Sequence, residues 1–262
     1  MLPPFPGLWQ PTPPANSFAT FTFYPHVRPF AMLTATQFLP TLTSAHYATD
    51  FNEVKLLGSV NSAARPAETT LWAQIHAGVN TQIGFFHVWN RVAADVAQQS
   101  GLSLPDTART FVLLTVGLHD GLQTSFTSKF TYGLWRPVTA IRRANEDLNP
   151  ATDQDAGWTP LVNTPTYPSY AGNAACLSAA SARALQIAFG QDDIPFTVTY
   201  PRTMGLPTET RTYAGFSDLA QQEADSRIYA GLHYRFDNEA SQANCVKAPE
   251  FAAEHFMLPL DR

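Results

Sequence analysis

Apolar residues recur every three or four positions along much of the chain, the period of helices with one face turned to a core. The helical pattern begins at Thr41. In AETTLWAQIHAGVNTQIGFFHVWNRVAADVAQQSG the apolar positions Leu71, Ile75, Val79, Ile83, Phe86, Val88 and Val92 predict one long helix stopping at Gly101. The next helix opens at Pro105 and Asp106, which suit a first turn, and runs to about Trp135. Pro137 starts a short helix, PVTAIRRANED, and a proline-rich loop follows over residues 147–168. SYAGNAACLSAASARALQIAFG reads as a tightly packed helix ending at Gly190. A further helix is predicted from Ser217 to near Asn238, and a last one from Ala243 to Met257. In FTVTYPRTMGLPTETRTY the alternation changes to that of strands around a Gly-Leu-Pro turn, which predicts a small β-hairpin. Residues 1–40 are dense in proline and carry scattered aromatics. They predict an extended arm, with Trp9, Phe21, Phe23 and Phe30 seated in surface grooves. The expectation is an all-α helical bundle, one domain over residues 1–262, with a proline-rich arm and a minor hairpin.

Composition narrows the function classes. Hydrophobic residues make up 45% of the 262, enough for a sizeable core, whereas charged residues are only 14%. The low charge hints at a homo-oligomer. A formal charge of −5 argues against nucleic acid as a partner, so any anion site must be a local concentration of Arg and Lys. No run of about twenty apolar residues is present, so no membrane span is expected. No signal peptide is visible, which leaves both export and a cytoplasmic location open. Two cysteines, Cys176 and Cys245, exclude a multi-cysteine zinc site and leave one bridge possible.

The stretch SRIYAGLHYRFDNEA concentrates charge in a chain otherwise poor in it. His233 and Asp237 are four apart, so on a helix they would touch, and the carboxylate would fix the imidazole tautomer. Arg227 lies six before His233, which is not one helical face unless the helix starts near Gly231. Alone, the stretch also suits a solvated helix face. In KFTYGLWRP, Lys129 and Arg136 are two helical turns apart, and Pro137 keeps Arg136 out of helical geometry. With Arg227 they make a cationic trio suited to a tetrahedral anion. In TYPSYAGNAAC a loop passes through Gly172 and Asn173 into a helix whose free amides can bind an anion, or simply be capped.

These segments together resemble the signature shared by vanadium-dependent haloperoxidases and type 2 phosphatidic acid phosphatases: Lys, six residues, Arg-Pro; then Pro-Ser-Gly-His; then Ser-Arg, five residues, His, three residues, Asp. Lys129–Arg136–Pro137 and Ser226–Arg227–His233–Asp237 match the outer elements to the residue. GLWQPTPP, VRPFAML, DFNEVKLLGSVNSAAR and LWRPVTAIR are similar to the soluble bacterial haloperoxidase-like branch. Members of that branch often carry a further helical segment ahead of the first of these stretches. The resemblance implies a pocket for vanadate, which phosphate can share, held by Lys129, Arg136, Arg227 and backbone groups near Gly172 and Asn173. His233 would be the vanadium ligand, and hydrogen peroxide and halide the substrates. The alternative is an acid phosphatase acting on a phosphomonoester through a phosphohistidine at His233, oriented by Asp237.

The middle element departs from the pattern: Ala174, or Ala171 on the other placement, stands where the acid–base His belongs. Such a group is worth roughly 10²–10⁴ in rate. A third reading is therefore an oxyanion-binding relative with changed or lost activity. His119 with Asp120 is a candidate substitute acid, weighed against a helix-packing role. His26, His46, His76, His87 and His255 have no spacing that suggests a site.

Overall fold

The structure, a computed structural model, describes residues 6–32, 47–77, 84–201, 206 and 208–256. Its elements are α1 (Tyr47–Leu57), α2 (Ala67–Ala77), α3 (Phe85–Gln99), α4 (Leu104–Tyr132), α5 (Pro137–Arg142), α6 (Asn173–Phe189), β1 (Phe196–Tyr200), β2 (Glu209–Tyr213), α7 (Phe216–Tyr229), α8 (Arg235–Cys245) and α9 (Lys247–His255). No helix among the described residues is long and apolar enough to cross a membrane.

At the centre lies α6, packed against α4, α7, α8 and α9. Its alanines and serines explain this. Ala174, Ala175, Ser178, Ala180, Ser181 and Ala184 are all buried, and their short side chains let four helices approach closely. The serine hydroxyls bond back to carbonyls one turn earlier, so they enter the core satisfied. Cys176 of α6 and Cys245 at the end of α8 form a disulfide beside Gly121 of α4. This closes the alternative that the sequence left open.

The longest helix, α4, is capped by Ser103, whose hydroxyl accepts from the Asp106 amide, and it ends at Gly133 in the left-handed region. The β1–β2 hairpin pairs Phe196 with Tyr213 and Tyr200 with Glu209, burying Phe196, Val198 and Tyr200. Of its Gly-Leu-Pro turn only Leu206 is described.

Three boundaries differ from expectation. The long helix predicted over residues 67–101 is two helices, because Gly84 is extended (φ −71°, ψ 166°) and starts α3 anew; Val79 and Ile83 lie outside the described residues. The helix predicted from Ser217 to Asn238 is broken between Tyr229 and Arg235, where Gly231 has φ 78°. The last helix starts at Lys247 rather than Ala243, and Met257 lies outside the described residues. In each case apolar spacing continues across a turn it cannot register.

The arm is held by its backbone more than by its rings. Leu8 bridges to Leu134, and the Trp9 amide donates to Gly133 O at 2.6 Å. The Asp120 carboxylate accepts from the amides of Phe30, Ala31 and Met32 at 2.8, 2.8 and 3.2 Å. Phe23 and Phe30 are 59% and 68% exposed, not seated in grooves as expected, whereas Phe21 leans on Phe126 and Tyr167.

Candidate functional site

The chain brings the two outer motifs together by ending helices in the right places. Lys129 sits in the last turn of α4. After the turn at Gly133, Pro137 holds Arg136 in an extended conformation (φ −77°, ψ 154°) at the head of α5. Arg227 lies in the last turn of α7. His233 stands in the linker, and Asp237 is the third residue of α8, where its side chain caps that helix. The expected meeting of His233 and Asp237 along one helix face is therefore a meeting across a helix start. Gly231 makes the linker possible: a Cβ there would lie 2.6 Å from Gly58 O and 2.8 Å from Pro160 Cβ.

Lys129, Arg136, His233 and Asp237 are fully buried, and Arg227 is 6% exposed. Lys129 Nζ donates to the carbonyls of Pro168 and Ser169 at 3.0 and 2.8 Å. Arg136 Nε donates to Tyr167 O at 2.8 Å, and its Nη1 reaches Leu232 O at 2.8 Å and His233 Nε2 at 2.9 Å. Both cations lie over the Tyr167 ring, at 5.1 and 5.0 Å. His233 Nδ1 donates to Asp237 Oδ2 at 2.9 Å, leaving the Nε2 lone pair facing Arg136. That tautomer follows from the network, since Arg136 only donates. Ser169 Oγ donates to the same Asp237 oxygen.

Burial governs the electrostatics. It holds His233 well below its ordinary range, with Arg136, Lys129 and Arg227 adding to the effect, so the imidazole is neutral. Burial also lowers Lys129, seconded by Arg136, and brings Arg136 down to about 10. Asp237 is pushed up to about 6 by burial, against the Ser169 hydrogen bond and the Lys129 and Arg136 charges. Arg136 Nη2 and Arg227 Nε are buried without a hydrogen-bond partner. Two unspent guanidinium donors among crowded buried cations are a costly arrangement that an anion relieves.

Of the other expected ligands, the Gly172 amide is committed to Asp237 O at 3.1 Å. Its lack of a side chain matters instead, because a Cβ would lie 2.6 Å from Asn238 Oδ1. Asn173 Nδ2 touches Tyr167 Oη at 3.3 Å, and its Oδ1 is unpartnered. Ala174 is fully buried, so an imidazole there would have to displace packed neighbours. The His119–Asp120 pair ties down the arm: Asp120 spends both oxygens on the arm's amides, His119 Nδ1 lies 3.0 Å from Asp120 Oδ1, and neither lines the cavity that Arg227 borders.

Beside this cluster lies a cavity of about 600 Å³ lined by Phe21, Tyr167, Asn173 and Arg227, and also by His76 and Glu223. Sequence reasoning missed Ser169, Tyr167, His76 and Glu223. Two left a trace: Ser169 is the serine of the middle element on the placement that gives Ala171, and Glu223 stands four residues before Arg227 and so on the same face of α7.

Comparison with known proteins bears out the helical architecture. Residues 109–261 match the family model of the VCPO second helical-bundle domain, and the chain belongs to that family. The chain is similar in structure to the first bacterial vanadium-dependent iodoperoxidase, with a TM-score of 0.75 and 26% identity, covering 94% of this chain and 60% of that one. Apo and holo forms of a bacterial vanadium-dependent chloroperoxidase match with TM-scores of 0.73 and 0.72. They are 16% and 17% identical, covering 90% of this chain and 56% and 55% of theirs, a likeness of fold alone. The chain thus spans at most about 60% of the length of these proteins. No curated protein matches it.

Proposed function

We propose that the chain is a vanadium-dependent haloperoxidase-like protein whose pocket takes a tetrahedral oxyanion, vanadate or phosphate. The observation that carries this reading is the pair of buried, unpartnered guanidinium donors, Arg136 Nη2 and Arg227 Nε, beside a neutral His233 whose Nε2 accepts only from Arg136 Nη1. Arg136 and Arg227 would hold the anion's oxygens, and Lys129, bonded to the Pro168 and Ser169 carbonyls, would add charge. His233 would offer Nε2 as the vanadium ligand, released by Arg136, with Asp237 and Ser169 holding the ring. Bound vanadate would supply an electrophilic centre at which hydrogen peroxide is activated to oxidise halide. Asn173 and Tyr167 border the cavity through which small substrates would arrive.

A second reading shares the pocket. A neutral imidazole oriented through Nδ1 is also a phosphoryl acceptor, so His233 would attack the phosphorus of a phosphomonoester with the same cations stabilising the transition state. Ala174 in place of an acid–base His favours a third, an oxyanion-binding relative with changed or lost turnover.

Calorimetric titration with orthovanadate separates these from no function of the kind. Binding that weakens in Arg136→Ala is expected, and no binding at millimolar concentration would overturn the reading. Bromide oxidation by peroxide after vanadate loading selects the first reading, para-nitrophenyl phosphate hydrolysis the second, and binding with neither activity the third.

A further inference from the structure

The cavity holds a carboxyl that the oxyanion reading leaves unused. Glu223 is 1% exposed and lines the cavity with Arg227, one helical turn further along α7. Its Oε2 accepts from Trp89 Nε1 of α3 at 2.9 Å and from Ser178 Oγ of α6. Its Oε1 faces His76 Nδ1 of α2 at 3.9 Å, beyond hydrogen-bond reach. The other titratable groups set against it are Tyr200 of β1, Tyr213 of β2 and the Arg227 guanidinium.

Turned so that its nitrogen donates to His76 Nε2 at 3.0 Å and its oxygen accepts from Arg211, the Gln222 amide leaves His76 protonated on Nδ1. Burial holds that imidazole down to about 4, so it is uncharged. Glu223 is pushed up to about 7 by the same burial, against the hydrogen bonds from Ser178 and Trp89 and the charge of Arg227. After the hydrogen bonds from Ser178 and Trp89, Arg227 is the charge that helps to keep this carboxylate ionisable, and its Nε is unspent.

We propose that the cavity binds its oxyanion together with a proton, and that Glu223 carries that proton. The inference rests on the oxyanion reading above. An anion taken by Arg227 withdraws the charge that stabilises the carboxylate and adds a like charge beside it, and both changes favour the neutral carboxyl. One proton passes from solvent to Glu223 for each anion bound, and no other bond changes. The neutral carboxyl then holds that proton in the wall of the cavity it shares with Arg227.

The test uses tungstate, a tetrahedral dianion that does not itself titrate near neutral pH, in calorimetry across buffers of different ionisation enthalpy. Above the carboxyl's midpoint, uptake approaching one proton per tungstate is expected. Affinity should weaken by up to about tenfold per pH unit, the slope of one linked proton. In Glu223→Gln both effects should vanish while tungstate still binds. Equal uptake in wild type and Glu223→Gln would overturn the proposal and leave the oxyanion reading standing. No tungstate binding by the wild type would overturn that reading and the proposal with it. An infrared difference spectrum of the wild type alone needs no variant: it should show a carboxylate lost and a neutral carboxyl gained on binding, and its absence would also overturn the proposal.

Discussion

Two buried histidine–carboxylate pairs lie near each other in this molecule and differ in one distance. His233 Nδ1 is hydrogen-bonded to Asp237 at 2.9 Å, whereas His76 Nδ1 stands 3.9 Å from Glu223. Both imidazoles are kept neutral by burial. Their carboxyls are both pushed up by burial, Asp237 to about 6 against Ser169, Lys129 and Arg136, and Glu223 to about 7 against Ser178, Trp89 and Arg227. What differs is contact: a direct bond orients the first ring, whereas the second carboxyl spends its hydrogen bonds on Ser178 and Trp89. The same two kinds of group thus serve orientation in one place and, as we propose, proton capacity in the other.

The largest expected effect breaks the first pair. His233→Ala should lower any turnover by at least about 10³-fold, as loss of a central nucleophile or ligand does, while Glu223→Gln leaves the His233–Asp237 geometry intact. Steady-state kinetics with para-nitrophenyl phosphate, and with peroxide and bromide after vanadate loading, would show it; near-wild-type rates in His233→Ala would dissolve the contrast.

Next is the bridge between the two pairs. The Cys176–Cys245 disulfide ties α6, which carries Ser178 against Glu223, to α8, which carries Asp237. Cys245→Ser should cost about 2–4 kcal/mol in denaturant unfolding. An unchanged midpoint would mean the tie contributes nothing to holding the pairs in register.

A smaller effect separates the two arginines. Arg136→Ala and Arg227→Ala should each weaken orthovanadate binding by about 10–100-fold, the worth of a charge-assisted hydrogen bond. Only Arg227→Ala should raise the Glu223 midpoint further, read from Trp89 fluorescence against pH, since Trp89 Nε1 is bonded to that carboxyl. An identical midpoint in both variants would count against the assignment of Arg227 to the second pair.

The smallest effect is a slope. Glu223 rises from 4.5 to about 7 on folding, so its contribution to stability is present below 4.5 and lost as pH rises through about 7. His76 falls from 6.5 to about 4, so its contribution is present above 6.5 and lost as pH falls through about 4. Between about 4.5 and 6.5 the two oppose each other. Glu223→Gln removes one side, so its unfolding free energy should climb with pH relative to wild type by up to about 1.4 kcal/mol per unit. Parallel profiles would show that the pair is not balanced.

Much of the fold was legible along the chain. The helix expected to end at Gly190 ends there because glycine accepts the left-handed conformation that closes a helix, and Gly133 closes α4 in the same way, just short of the end expected near Trp135. The hairpin followed from its alternation. The boundary at Gly84 was not legible, because apolar spacing runs on past it, whereas a break near Gly231 was legible only as one of two ways to bring Arg227 and His233 together. Of the site, Lys129, Arg136, His233 and Asp237 could be named from motif spacing, and the structure does bring them into contact or within one residue of it. Tyr167 could not, since it acts through a loop whose path depends on what it packs against. His76 and Glu223 come from different helices with no shared motif.

By itself, then, the sequence determined most of the helical elements, which are written in local spacing, and through its resemblance to a known motif it named the side chains that we propose hold an oxyanion. Only the tertiary structure decided which of those groups lose their solvent. Burial turns His233 and His76 neutral, leaves two arginine donors unspent and sets Glu223 near neutrality. Removal of water is a property of packing between distant segments, and no stretch of the chain encodes it alone.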